Sequence, residues 1–103
     1  MAILKGILKD SLNYYLDLDR RLRARLKELP HGSILKRHIG RRNYFYLNFR
    51  DGHRVVSRYL GKEEPKQIRK EIEERKLIKG QLKEVEENIK MLARLERRKR
   101  GGR

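Results

Sequence analysis

The 103-residue chain has no cysteine, two prolines and no long apolar run. Without cysteine there are no disulfides, no zinc-finger ligation and no thiol chemistry. No stretch approaches the about 20 apolar residues that a membrane-spanning helix needs. Lys5 and Lys9 interrupt the N-terminal MAILKGILKD, which therefore lacks a signal-peptide core. The expected setting is intracellular, in the cytoplasm, with no membrane partner. Phosphate-loop chemistry is missing as well, because Gly61-Lys62 stands outside any G-x-x-x-x-G-K-[ST] pattern. The three histidines, His31, His38 and His53, are not at metal-ligand helical spacing. Residues 32–61 hold one acid, Asp51, whereas a two-metal nuclease needs several convergent carboxylates. No enzyme, cofactor or metal is expected.

What is present is positive charge. Lys and Arg number 29 against 14 acids, a formal net charge of +15. Self-repulsion on that scale opposes compaction, and a polyanionic partner relieves it. Hydrophobic residues make up 37% and charged residues 42%. That balance is too charged for a thick core and too apolar for a disordered chain, and it suits long helices with narrow apolar stripes.

The periodicity resolves one α+β domain. Leu8, Tyr15, Leu22 and Leu29 recur every seven residues, with Leu4, Leu12, Leu18 and Leu26 widening the stripe. This predicts a helix over 2–29, ended by Pro30 and Gly32. Ile68, Ile72, Ile78, Leu82, Val85, Ile89 and Leu92 predict a second helix over 63–100, loosened or kinked at Gly80 and followed by a tail over 101–103. The economical arrangement of two long one-striped helices is an antiparallel pair. Glu71 and Arg75 stand at i,i+4 on the second helix, one of several such pairs that account for its acids.

Between the helices, residues 32–61 read as a three-stranded antiparallel sheet with strands near 33–39, 43–50 and 53–60. Asp51-Gly52 is a two-residue hairpin signal, and Gly40 to Arg42 a second, three-residue turn. That register places Leu35, Ile39, Phe45, Leu47, Phe49, Val56 and Leu60 on a core face, with Arg37, Arg54 and Arg58 at its rim. Lys36, His38, Tyr44, Tyr46, Asn48, Arg50, Ser57 and Tyr59 fall on the opposite face.

Seven cations, three tyrosines and two phenylalanines share this segment. Cations interleaved with aromatics on strands suit phosphates and exposed bases. The candidate nucleic-acid contacts are Lys36, Arg37, His38, Arg41, Arg42, Tyr44, Tyr46, Asn48, Arg50, Arg54, Ser57, Arg58 and Tyr59, with the cations expected on one rigid platform. DNA is favoured over RNA. The rival expectations are a protein–protein module, with the helical pair as a homodimer, and an RNA- or ribosome-associated factor. Further basic clusters lie at Arg20, Arg21, Arg23, Arg25 and Lys27, and at Arg94, Arg97, Arg98, Lys99, Arg100 and Arg103.

The pattern G-S-I at 32–34, Y-x-Y at 44–46, R-x-G at 50–52 and S-x-Y-L-G-K at 57–62 resembles a family of small uncharacterised prokaryotic proteins. It is also similar to β-rich segments at the N-termini of some transposases and to arm-type DNA-binding domains of tyrosine recombinases. The resemblance covers about residues 32–75. It implies a mobile-element setting, DNA read through a three-stranded sheet followed by a helix, and contacts from Lys36, Tyr44, Tyr46 and Ser57. No catalytic domain accompanies the segment, so only the binding mode carries over.

Overall fold

The apolar stripe of the first helix appears in the structure at the positions its spacing requires. In this computed structural model, which describes residues 2–100 and the side chains of residues 6–98, helix α1 runs Ala2–Glu28. Leu8, Leu12, Tyr15, Leu18, Leu22 and Leu26 are half-buried along it, and the residues between them are mostly exposed. The helix stops one residue short of expectation because Leu29 precedes Pro30, whose ring disfavours helical backbone in the residue before it. The same rule moves the start of the second helix. Helix α2 runs Lys66–Arg100 rather than from Glu63. The Pro65 carbonyl accepts its first helical bond from the Arg69 N–H at 3.0 Å. The predicted tail over 101–103 lies outside the described residues.

The chain divides into two compact units. One joins the described residues up to Glu28 with those from Leu77 onward, and the other is Leu29–Lys76. In the first unit α1 and α2 form an antiparallel pair. Ile78, Leu82, Val85 and Leu92 are its buried residues on α2. Tyr15, Leu18 and Leu22 share a cleft of about 260 Å³ with Gln81, Glu84, Val85 and Asn88. Arg23 donates to Asp19 at 3.0 Å and also to Glu86 across the pair. Asp19 first, then Glu86, hold its guanidinium above its ordinary pKa.

Helix α2 continues through Gly80, with nothing within 4 Å of where a Cβ would stand. Gly80→Ala should therefore raise stability by about 1 kcal/mol, the helix-interior difference between the two residues. A urea melt reads this directly, and a lower midpoint would mean that Gly80 has a packing role.

The second unit holds the sheet, of order β1-β2-β3, with β1 Ser33–Ile39, β2 Arg42–Asp51 and β3 Arg54–Gly61. Both hairpins are antiparallel and turn through two residues, Gly40-Arg41 and Gly52-His53. In each loop the glycine has positive φ (62° and 64°), and no other residue type does. That is the requirement of a type II′ turn, with glycine first, rather than the type I′ turn read from Asp51-Gly52.

The two corrections have unequal consequences. At the β2–β3 turn Asp51 joins the ladder opposite Arg54, and Tyr46 pairs with Tyr59 rather than Ser57. The slip is two residues, so every β3 side chain keeps its expected face. At the β1–β2 turn the loop is two residues, not three, so Leu35 pairs with Tyr46 rather than Leu47. This one-residue slip turns the whole of β1 over. Leu35, Arg37 and Ile39 join the tyrosines, and Ile34, Lys36 and His38 take the opposite face. A bulge follows where Phe45 pairs with Gly61, leaving Leu60 as the extra residue.

Phe45 and Leu47, adjacent on one face of β2, are the buried centre of the sheet. Ile34, Phe49 and Val56 stand half-buried on that face. The first turns of α2 pack beside β1, where Ile34 and Ile72 line a common cleft of about 140 Å³.

Candidate functional site

The open face of the sheet is the candidate site. Strand alternation and the observed register put Leu35, Arg37 and Ile39 of β1 there, with Arg42, Tyr44, Tyr46, Asn48 and Arg50 of β2 and Val55, Ser57 and Tyr59 of β3. The tyrosines form a connected cluster. The rings of Tyr46 and Tyr59 have centroids 5.4 Å apart, and those of Tyr44 and Tyr59 6.4 Å. Both pairs are tilted, at 52° and 41°, between stacked and edge-to-face, and within the separation of interacting aromatic rings. The Arg37 guanidinium carbon stands 5.5 Å from the Tyr46 ring centroid, within cation–π reach. The flipped register of β1 is what makes this contact possible. Next along β2, the Ser57 hydroxyl donates to Oδ1 of Asn48 across the β2–β3 ladder.

The cations are not gathered as expected. Arg37, Arg42 and Arg50 lie on the tyrosine face, Lys36, Arg54 and Arg58 lie on the face of Phe45 and Leu47, and Arg41 occupies the turn. A ladder alternates faces at every residue, so a basic segment without period-two charge spacing divides its cations between both sides. The tyrosine face nonetheless carries no acid, since Asp51 falls on the other side opposite Arg54. Lys36, Arg54 and Arg58 are exposed on that other face, on the edge strands.

The histidines are accounted for singly. Nδ1 of His38 lies 2.7 Å from Oδ1 of Asn43, its ladder partner on the buried side. His31 meets the Phe49 ring edge-on at 5.6 Å, with Nε2 3.1 Å from the Arg50 carbonyl oxygen. His53 sits in the second turn. Lys36 and His38, read from the sequence as facing the ligand with the tyrosines, are thus on the opposite side. Among the described residues no three His, Asp or Glu form a metal-binding group, and no helix is long and apolar enough to cross a membrane.

Sequence reasoning missed the apolar part of the site. Leu35 (38% exposed), Ile39 (60%) and Val55 (70%) all lie on the tyrosine face. Ile39 pairs with Arg42 at one end of β2 and Val55 with Arg50 at the other, so apolar and cationic side chains lie next to each other at both ends of the face. The signal that finds Leu35 and Ile39 is the position of Gly40, which as the first residue of a two-residue loop fixes the face of β1, whereas alternation from Ser57 already places Val55.

Residues 15–70, more than half of the chain, match the model of a family described as a domain of unknown function (DUF6788), and the chain belongs to that family. The matched span takes in the whole sheet. No curated protein and no solved structure matches the chain.

Proposed function

We propose that this DUF6788 chain is a non-enzymatic nucleic-acid-binding protein that contacts double-stranded DNA through the tyrosine face of its sheet. The observation that carries the reading is an acid-free exposed face with Arg37, Arg42 and Arg50 set around Tyr44, Tyr46 and Tyr59. Arginines at such positions neutralise phosphates, and exposed ring faces and edges contact sugars and bases. Arg42 and Arg50 share the face at opposite ends of β2, about 26 Å apart at 3.3 Å per residue. That distance matches a track of about eight base pairs at 3.4 Å each. The total charge of +15 supplies the long-range attraction.

Fluorescence anisotropy with a labelled 20-base-pair duplex tests the reading. Affinity should fall by about 10²-fold or more between 50 and 200 mM salt, as for a protein making several phosphate contacts. A salt-independent or undetectable affinity rejects it. Single-stranded RNA and DNA competitors decide the strand state, and preference for a single-stranded competitor rejects the duplex.

A second reading rests on a different observation. Ile7 (55% exposed) and Tyr14 (58%) lie seven residues apart on α1, and Met91 (51%) and Leu95 (38%) four apart on α2. Such spacings place each pair on one helix face, the pattern of a helical dimer seam. Under this reading light scattering shows concentration-dependent mass without DNA.

A further inference from the structure

The open face carries a residue that strand propensity does not favour. Asn48 lies on the open side of the central strand, opposite the first residue of β1, where asparagine is disfavoured relative to β-branched or aromatic residues. Asn43, the other asparagine of β2, has a structural reason in its contact with His38. Asn48 is likewise held by a cross-strand partner, but on the open face. Its ladder partners are Ser33 on β1 and Ser57 on β3, and the Ser57 hydroxyl donates to its Oδ1. A carbonyl oxygen has two lone pairs, so one stays available beside both amide N–H donors. Its cross-strand neighbours carry only small hydroxyl side chains, and the half-buried amide stands between Tyr46 and Arg50 along the strand.

We infer that Asn48, braced by Ser57, is the base-reading residue of this surface and recognises the major-groove edge of adenine. The inference rests on the duplex-binding reading above. The outer strands are about 9.6 Å apart at 4.8 Å per spacing, and a major groove is about 12 Å wide. The central strand can therefore lie over the groove with the outer strands against its two phosphate walls. Side chains of the central strand between Arg42 and Arg50 face the groove floor, and those two arginines, with the side chains of the edge strands, reach the phosphate walls. A carboxamide at the floor matches adenine: Oδ1 accepts from the N6 amine while Nδ2 donates to N7. Ser57 is a positioning residue, since its hydroxyl bond fixes which side of the amide presents oxygen.

The test uses the full chain. A preferred duplex is selected from a random-sequence pool, and each adenine in it is then replaced in turn by 7-deazaadenine, which lacks the N7 acceptor but pairs normally. At one adenine the wild type should lose about 5- to 10-fold in affinity, the lower part of the range for a bidentate pair, since one of its two bonds is removed. Asn48→Ala should lose nothing further on that substitution and keep the wild-type salt slope. Ser57→Ala should show a reduced loss at the same adenine. Asn48→Thr, a strand-compatible change, serves if the alanine variant does not fold. Selection of no sequence from the pool overturns the inference and leaves the duplex reading standing. So does a wild type indifferent to 7-deazaadenine at every position, or an Asn48→Ala chain that keeps the full loss. Absence of any duplex binding removes both.

Discussion

Replacing Arg37, Arg42 and Arg50 together with glutamine is expected to weaken duplex binding by about 10²–10³-fold at 0.1 M salt. Each phosphate contact on duplex DNA contributes about 0.9 to the slope of log affinity against log salt. Three lost contacts lower the slope by about 2.7, and at 0.1 M each unit of slope is worth about tenfold. Glutamine keeps much of the side-chain length, so the variant removes charge more than packing. The informative control removes the same charge elsewhere. Lys79, Lys83 and Lys90 are exposed on α2. Their triple replacement should change the slope by much less than 2.7, because unlocalised charge acts through the screened field alone. Equal losses in the two triple variants would mean that the sheet attracts DNA only as part of a generally basic chain, and the platform would be abandoned.

That contrast matters because the structure divides the sheet's cations between two faces. The sequence made the elements legible, since each has a period of its own. The seven-residue recurrence from Leu8 to Leu29 specified one apolar stripe, and that stripe is the half-buried side of α1. The run from Ile78 to Leu92 did the same for α2. The pairing of Phe45 with Leu47 as the buried centre was legible from alternation alone. What alternation does not determine is where a turn begins. Asp51-Gly52 and Gly52-His53 are both plausible loops around one glycine, and choosing between them costs nothing in facing because they differ by two in register. Gly40-Arg41 against Gly40 to Arg42 differs by one, and that single residue exchanges Arg37 for Lys36 and Leu35 for Ile34. The facing of β2 and β3 was therefore read correctly and that of β1 upside down. The cue lay in the glycines. Both loops open on glycine with positive φ and close on a residue with negative φ, the type II′ pattern.

Gly32→Ala is expected to destabilise the sheet unit by about 3 kcal/mol or more. Gly32 has φ of 120°, where an L side chain is strained by itself, at a cost of about 1–3 kcal/mol. The space around it is also closed. A Cβ built there stands 2.2 Å from the Asn48 carbonyl oxygen and 2.9 Å from the Phe49 Cβ, and the first of these is backbone that cannot swing aside. The adjacent residue, Ser33, already pairs with Asn48, so the chain enters β1 directly over β2 and relief requires displacing the first rungs of the ladder. In a domain of this size each kcal/mol shifts the melting temperature by about 4–8 °C, so the transition should fall by more than about 10 °C. Gly80→Ala is the opposing control, with the same added methyl in open space on a helix. Because the clash falls on Asn48 itself, the Gly32 variant should also lose adenine discrimination at temperatures where it is still folded, while retaining most of its salt slope. A melting temperature within a few degrees of wild type would show that β1 enters the sheet by another path, and the register that places Arg37 over Tyr46 would fall with it.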